Sequence, residues 1–260
     1  MSAMRVRVGI QVQPQHADFA SMRRAWQEAE EIGADCIYTW DHFFPLRGEP
    51  EGRHFEGLAC LAALAASTER AEVGALVMCN SYRNPNLLAD AHRTIDHISG
   101  GRVVLGIGAG WFQKDYDEYG YAFGTAADRL RALRRDLPVI RDRLARLNPP
   151  PLRDMPILVG GGGERVTLRI VAEHADAWHV FADLDTYRHK ARVLAEHCAR
   201  IGRDPGEIEH SVSRFDRELP RHADAYLEAG VRQFVVSASG PDYDLGPLRE
   251  MVARRDALGG

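Results

Sequence analysis

Residues 157–181, ILVGGGGERVTLRIVAEHADAWHVF, hold one complete structural unit and the start of the next. Ile157, Leu158 and Val159 form a short apolar run, Gly160 to Gly163 interrupt it, residues 165–173 repeat apolar positions at helical spacing, and residues 177–181 form a second apolar run. A continuous apolar run of this kind suits a strand covered on both faces, and strand, turn, helix and strand in succession make a βα unit of a parallel sheet.

The same alternation runs along the chain. Candidate strands fall at 6–12, 36–40, 73–79, 103–107, 157–160, 177–181, 208–214 and 234–238. Helical patterns follow at 19–32, 55–68, 86–98, 126–147, 165–173, 184–201, 219–228 and 245–255. Asp18 is placed to cap the first helix, and Gly33, Gly202 and Gly230 to end helices in the left-handed conformation. About eight strands, each with its helix, predict the α/β class and a (β/α)8 TIM barrel. The Pro149-Pro150-Pro151 run reads as a loop, because neither half of the chain has enough units to close a barrel alone. Residues 1–260 are therefore expected to form a single domain, and this length suits an α/β barrel.

Composition narrows the class further. Hydrophobic residues at 45% and charged residues at 27% allow an ordinary core and exclude a disordered or collagen-like chain. A formal net charge of -4 leaves no positive surplus for a nucleic-acid backbone or an anionic membrane, so neither is an expected partner. Residues 1–14 lack the apolar core of a signal peptide, and no stretch approaches about 18 apolar residues, which points to a cytoplasmic protein. Cys36, Cys60, Cys79 and Cys198 are too widely spaced for a CxxC pair and read as reduced thiols. Lys114 and Lys190 are the sole lysines, a bias that fits a GC-rich genome better than a binding surface.

Reactive groups of a (β/α)8 barrel lie just after the strand ends. The second strand ends in Trp40-Asp41-His42-Phe43-Phe44. An imidazole there can exchange a proton near neutrality, while the same Asp-His pair could instead be a buried hydrogen-bonding pair that fixes the loop. The third ends in Met78-Cys79-Asn80-Ser81-Tyr82-Arg83-Asn84-Pro85, and the fourth in Gly106-Ile107-Gly108-Ala109-Gly110-Trp111, whose alternating glycines let a planar ligand approach the backbone. A dinucleotide fingerprint is not met, because no helix opens on those glycines. Gly160, Gly161, Gly162 and Gly163 at a helix start favour a phosphate, although the Gly-Lys-Ser/Thr ending of a nucleotide P-loop is missing. His92 with His97 and His174 with His179 lie five apart, which does not put two ligands on one helical face, so no metal site is expected. No G-x-S-x-G elbow supports a serine nucleophile.

Taken together, Trp40-Asp41-His42-Phe43, Tyr82-Arg83-Asn84-Pro85, Ile98-Ser99-Gly100-Gly101-Arg102, residues 105–111 and residues 160–165 resemble the bacterial luciferase-like superfamily, and closely its compact branch of F420-dependent oxidoreductases. The resemblance covers roughly residues 5–258. It implies a TIM barrel that binds coenzyme F420, or FMN in sister groups, at its C-terminal mouth. It also implies a bulge with a non-prolyl cis peptide around Leu76, Val77 and Met78 that supports the ring from behind. By the same resemblance Asp41 and His42 contact the ring or substrate, Val77 and Met78 lie behind the ring, and Cys79 and Asn80 reach its polar edge. Gly108, Ala109, Gly110 and Trp111 line the pocket, and the loop Gly160 to Gly163 holds the coenzyme phosphate. Some sugar-phosphate dehydrogenases of the family have a Glu proton donor where Trp111 stands, so a sugar phosphate is not the expected substrate.

The expected activity is hydride transfer between F420 and a small organic substrate, with His42 as acid or base and Asp41 orienting it or contacting the ring. The alternatives are an FMN-dependent monooxygenase using reduced flavin and oxygen, and a non-catalytic barrel that binds F420. A homodimer is expected by analogy with relatives.

Overall fold

In β1 (Arg7–Gln13), Val8, Ile10 and Val12 join the core between strands and helices, while Arg7 and Gln11 reach other strands across the interior. That two-residue alternation, repeated around the sheet, gives one apolar layer outside the strands and a mixed layer inside. The computed structural model describes residues 5–214 and 218–258. The first four residues of the 1–14 stretch lie outside them.

The chain continues through α1 (Phe19–Ile32), β2 (Cys36–Thr39), α2 (Gly57–Ser67), β3 (Glu72–Ala75), β4 (Met78–Cys79), α3 (Pro85–Ser99) and β5 (Val103–Gly108). After α4 (Gln113–Tyr119) and α5 (Ala126–Arg146) come β6 (Ile157–Gly160), α6 (Thr167–His174), β7 (Ala177–Phe181), α7 (Leu184–Arg200), β8 (Glu209–Ser213), α8 (Leu219–Glu228), β9 (Gln233–Ser239) and α9 (Gly246–Leu258). Every strand pairing is parallel, β9 returns to β1, and β3 and β4 both pair with β5, which closes an eight-stave TIM barrel. Asp18 caps α1 through the Ser21 amide at 2.7 Å, and Gly33, Gly202 and Gly230 all have positive φ.

The expected strand at 73–79 is broken. Gly74 stands opposite Val104 and Met78 opposite Ile107, so four steps along this stave match three along β5. One extra residue makes a bulge, and the Leu76–Val77 peptide within it is cis. Both backbone groups of Leu76 find partners outside this stave: the Leu76 amide donates to Thr39 O at 2.9 Å and Gln11 Nε2 donates to Leu76 O at 2.7 Å. Room comes from the neighbouring staves. A Cβ on Gly106 would overlap the Ala75 carbonyl oxygen, and Cβ atoms on Gly108 and Gly160 would fall 2.7 and 2.8 Å from the Val77 methyls. Gly106, Gly108 and Gly160 accommodate the protein's own bulge, a role additional to the approach of a planar ligand expected from the sequence of 106–110.

The helices differ in one element and, by one to three residues, at several ends. Residues 113–119 form a helix too short to show a period, and α6 begins at Thr167 because residues 164–166 form a turn. At the N-terminal end of the barrel, Arg7 pairs with Glu72 and with Glu209 at 2.8 Å, and Arg153 adds a 2.8 Å bond to Glu72. Above them Cys36, Tyr38, Val104, Leu158, Ala177 and Val235 fill the interior. Open space is left at the C-terminal half.

Gly106→Ala should lower stability by about 1–3 kcal/mol, the range for overpacking a tight site, measured as a fall in the urea midpoint. An unchanged midpoint would show that the bulge can shift away.

Candidate active site

The short β2 delivers Trp40, Asp41 and His42 to the C-terminal mouth, where the two polar neighbours part company. Asp41, 1% exposed, accepts the Cys79 amide at 2.8 Å and both Arg83 Nη atoms at 2.6 and 2.8 Å. Arg83 also bonds Glu56. Burial opposes the Arg83 charge, yet these carboxylates outweigh it and hold the guanidinium above its ordinary value. Asp41 therefore ties the end of the broken stave to β2. It does not orient His42, which corrects one of the two roles expected for it; it does line the larger chamber of this mouth.

His42 turns the other way. Its Nδ1 lies 2.7 Å from Oδ2 of Asp115, a fully buried residue of α4. The rings of Trp40, Phe112 and Trp111 meet the imidazole edge-on at centroid distances of 5.5, 5.6 and 5.8 Å.

Two chambers meet here. One, of about 550 Å³, runs between Leu76 to Cys79 and the ends of β5 and β6, past Ala109 and Trp111, to Gly160, Gly161, Gly162, Thr167 and Lys190. The other, of about 320 Å³, is walled by Trp40, Leu46, Leu219, Pro220 and Val235, with Gln13, Ser237 and two arginines among its polar lining. Both are lined by His42, Leu76, Trp111 and Phe181. Volumes of this order suit ring-sized ligands.

Of the residues singled out in the sequence, Asp41, His42, Val77, Met78, Cys79, Gly108, Ala109, Gly110, Trp111, Gly160, Gly161 and Gly162 line the larger chamber. Asn80 does not: its Nδ2 donates to Asp136 of α5 at 2.8 Å, which turns the amide away. Gly163 does not either, and a Cβ there would point at the Thr167 hydroxyl, 2.7 Å away. The Gly161 amide donates to His179 O at 3.0 Å and so serves the barrel backbone. Sequence reasoning does not single out Asp115, Arg129, Thr167 or Lys190 for the site, and Tyr82 enters it only as part of a quoted motif. The scarcity of lysine, which fits a GC-rich genome, hides Lys190, whose Nζ donates to Gly162 O at 2.6 Å beside the glycine loop. Thr167 was legible as a hydroxyl in the first turn after that loop.

A flat organic group with an anionic tail fits the larger chamber. The bulge and the glycine-bearing strand ends form one wall, and the far end offers a hydroxyl, an ammonium and the first turn of α6. The small Gly162 matters there: a Cβ would fall 3.1 Å from the Lys190 Cδ and Cε.

Residues 2–245 match the family described as luciferase-like monooxygenase. The chain belongs to that family. An F420-dependent glucose-6-phosphate dehydrogenase of Amycolatopsis mediterranei is 35% identical over 116 residues, 44% of this chain and 34% of that protein. One from Kineococcus radiotolerans is 28% identical over 216 residues, 75% of this chain and 61% of its own. The luciferase-like chain thus spans between about one third and three fifths of the length of these curated relatives. An F420-dependent secondary alcohol dehydrogenase solved with an F420-acetone adduct superposes with TM-score 0.83 at 16% identity, covering 97% of this chain and 99% of that one. The F420-dependent tetrahydromethanopterin reductase of Methanopyrus kandleri gives 0.75, also at 16%, covering 95% and 97%. At such identities the superpositions establish a shared fold. They agree with the barrel read from the sequence.

Burial lowers the His54 and His179 imidazoles around the site to about 4 and about 3, and His92 and His210 elsewhere to about 4. An unfolded histidine titrates near 6.5, so between that value and about 4 the unfolded chain binds more protons. Stability should fall as pH drops through this window, seen as a declining urea midpoint; His92→Gln should flatten the decline, and a midpoint constant from pH 7 to 4 would contradict it. Arg83→Met, which strands the buried Asp41 carboxylate, should cost about 3–5 kcal/mol by the same measurement.

Proposed function

We propose that this luciferase-like protein is an F420-dependent oxidoreductase that exchanges a hydride between the coenzyme and a small organic substrate, with a proton exchanged at His42. The observation that carries this reading is the position of His42, in the walls of both chambers at once. A group that must serve a bound coenzyme and a bound substrate belongs at such a junction.

In this reading the coenzyme occupies the larger chamber. Leu76 and Val77 back its ring, Gly108 to Gly110 flank it, and Gly162, Thr167 and Lys190 take its phosphate. When bound, F420 supplies two-electron hydride chemistry. The chain's own tasks are orientation, exclusion of water and control of one proton. Trp40, Trp111 and Phe181 supply the apolar enclosure, and Nε2 of His42 holds or takes the proton. The substrate takes the smaller chamber, whose wall includes Leu46, Leu219, Pro220 and Val235. The names of the curated relatives support F420 as the coenzyme.

Parallel titration of the purified protein with F420 and with FMN, followed by fluorescence, should show F420 binding at least about tenfold tighter, a difference of about 1.4 kcal/mol. Tighter FMN binding would replace this reading with flavin chemistry. Gly162→Val should weaken F420 binding by a similar factor. His42→Ala should slow F420 reduction by a panel of small alcohols by about 10²–10⁴-fold while leaving the coenzyme dissociation constant nearly unchanged.

A further inference from the structure

We propose that Asp115 is a positioning residue that holds His42 as its Nδ1–H tautomer and leaves Nε2 as the atom that exchanges the proton; this rests on the function proposed above. Asp115 is wholly buried, and its two oxygens face three groups. Oδ1 accepts the Phe43 amide at 3.1 Å, while Oδ2 accepts the Tyr82 hydroxyl at 3.0 Å and faces His42 Nδ1 at 2.7 Å. An ionised carboxylate can only accept, so the nitrogen facing it must carry hydrogen. In a neutral imidazole the second nitrogen is then bare.

The surroundings make that assignment a fixed one. Three aromatic rings meet the His42 ring edge-on, which restricts its rotation. The Nδ1 edge is occupied by Asp115, and the opposite edge, carrying Nε2, is the one left to the chambers that His42 lines. A proton arriving at Nε2 would create an imidazolium beside a buried carboxylate 2.7 Å away, a partner that stabilises the charge where it forms. Asp41, the sequence neighbour, cannot supply this because Arg83 and the Cys79 amide engage both of its oxygens. Tyr82 steadies the arrangement by donating to the same Asp115 oxygen that His42 meets.

Asp115→Asn is informative because the amide keeps one acceptor. That oxygen would stay with the Phe43 amide, turning the NH2 toward His42, where it donates to Nδ1 and forces the proton to Nε2. Nitrogen-15 spectra of the coenzyme-free wild type, with the His42 signals assigned by their loss in His42→Gln, should show neutral His42 as Nδ1–H. In Asp115→Asn they should show Nε2–H. Turnover in that variant should fall about 10²–10⁴-fold, with KM and the F420 dissociation constant within about threefold. Tyr82→Phe should keep the wild-type tautomer and lose much less turnover. A wild-type spectrum showing Nε2–H would overturn the proposal without any variant, so a misfolded Asp115→Asn does not shield it. An Asn variant with undiminished turnover would overturn it as well. If His42→Ala retained full turnover while the wild-type signal was Nδ1–H, the proton-exchange reading would fall and the placement by Asp115 would stand.

Discussion

The kink at Leu76–Val77 is the constraint on which the rest of the mouth depends. A strand that stops pairing for one residue leaves backbone donors and acceptors without ladder partners, and burying them unpaired would be costly. Here Thr39 O takes the Leu76 amide, Gln11 takes the Leu76 carbonyl, and Asp41 takes the Cys79 amide where pairing resumes. Each partner comes from β1, from β2 or from Asp41, two residues beyond β2. The kink therefore cannot be moved along the stave without breaking a bond to a different strand. It is also seated: Gly106, Gly108 and Gly160 lack the side chains that would collide with it.

Two buried carboxylates stand close together in this mouth and do opposite work. Asp41 faces a guanidinium that is charged at every relevant pH, so its environment is electrically closed. Asp115 faces an amide, a phenol and an imidazole, none of which carries a permanent charge. The first arrangement fixes backbone, since it joins the end of β2 to the start of the segment leading into α3. The second places a carboxylate beside a group able to become positive, and that asymmetry suits a proton-handling pair.

Periodicity and turn chemistry carried the fold in the sequence. Continuous apolar runs marked the strands, helical spacing marked the helices, and Asp18 and Gly33 marked the first helix ends, because each of these signals is local. The break in the stave was not visible in 73–79 itself; the runs on both sides are apolar, and the space for the kink is written in glycines some thirty or more residues later. His42 and its neighbour Asp41 were legible as site candidates from their place after a strand. Their partners were not. Asp115 lies 73 positions beyond His42 and Arg83 lies 42 beyond Asp41, so closure of the barrel, not spacing, brings them together. Lys190 was similarly hidden, since its Nζ reaches the Gly162 carbonyl from a helix 28 positions away.

Elimination among the described residues that line the two chambers leads back to His42. Cys79 and Tyr82 are both driven upward by burial, which keeps the thiol and the phenol protonated near neutrality. His179 is driven the other way, to about 3, and its Nε2 is buried without a partner while Nδ1 meets Ser211 Oγ at 2.8 Å. It stays neutral through the range in which a proton would have to be exchanged. Asp41 is held by Arg83, and Lys190 is engaged with Gly162 O and Glu164. His42 combines a hydrogen-bonded imidazole, access to both chambers and a carboxylate behind it. The burial that silences its neighbours leaves the proton chemistry of the proposed reaction concentrated on a single ring.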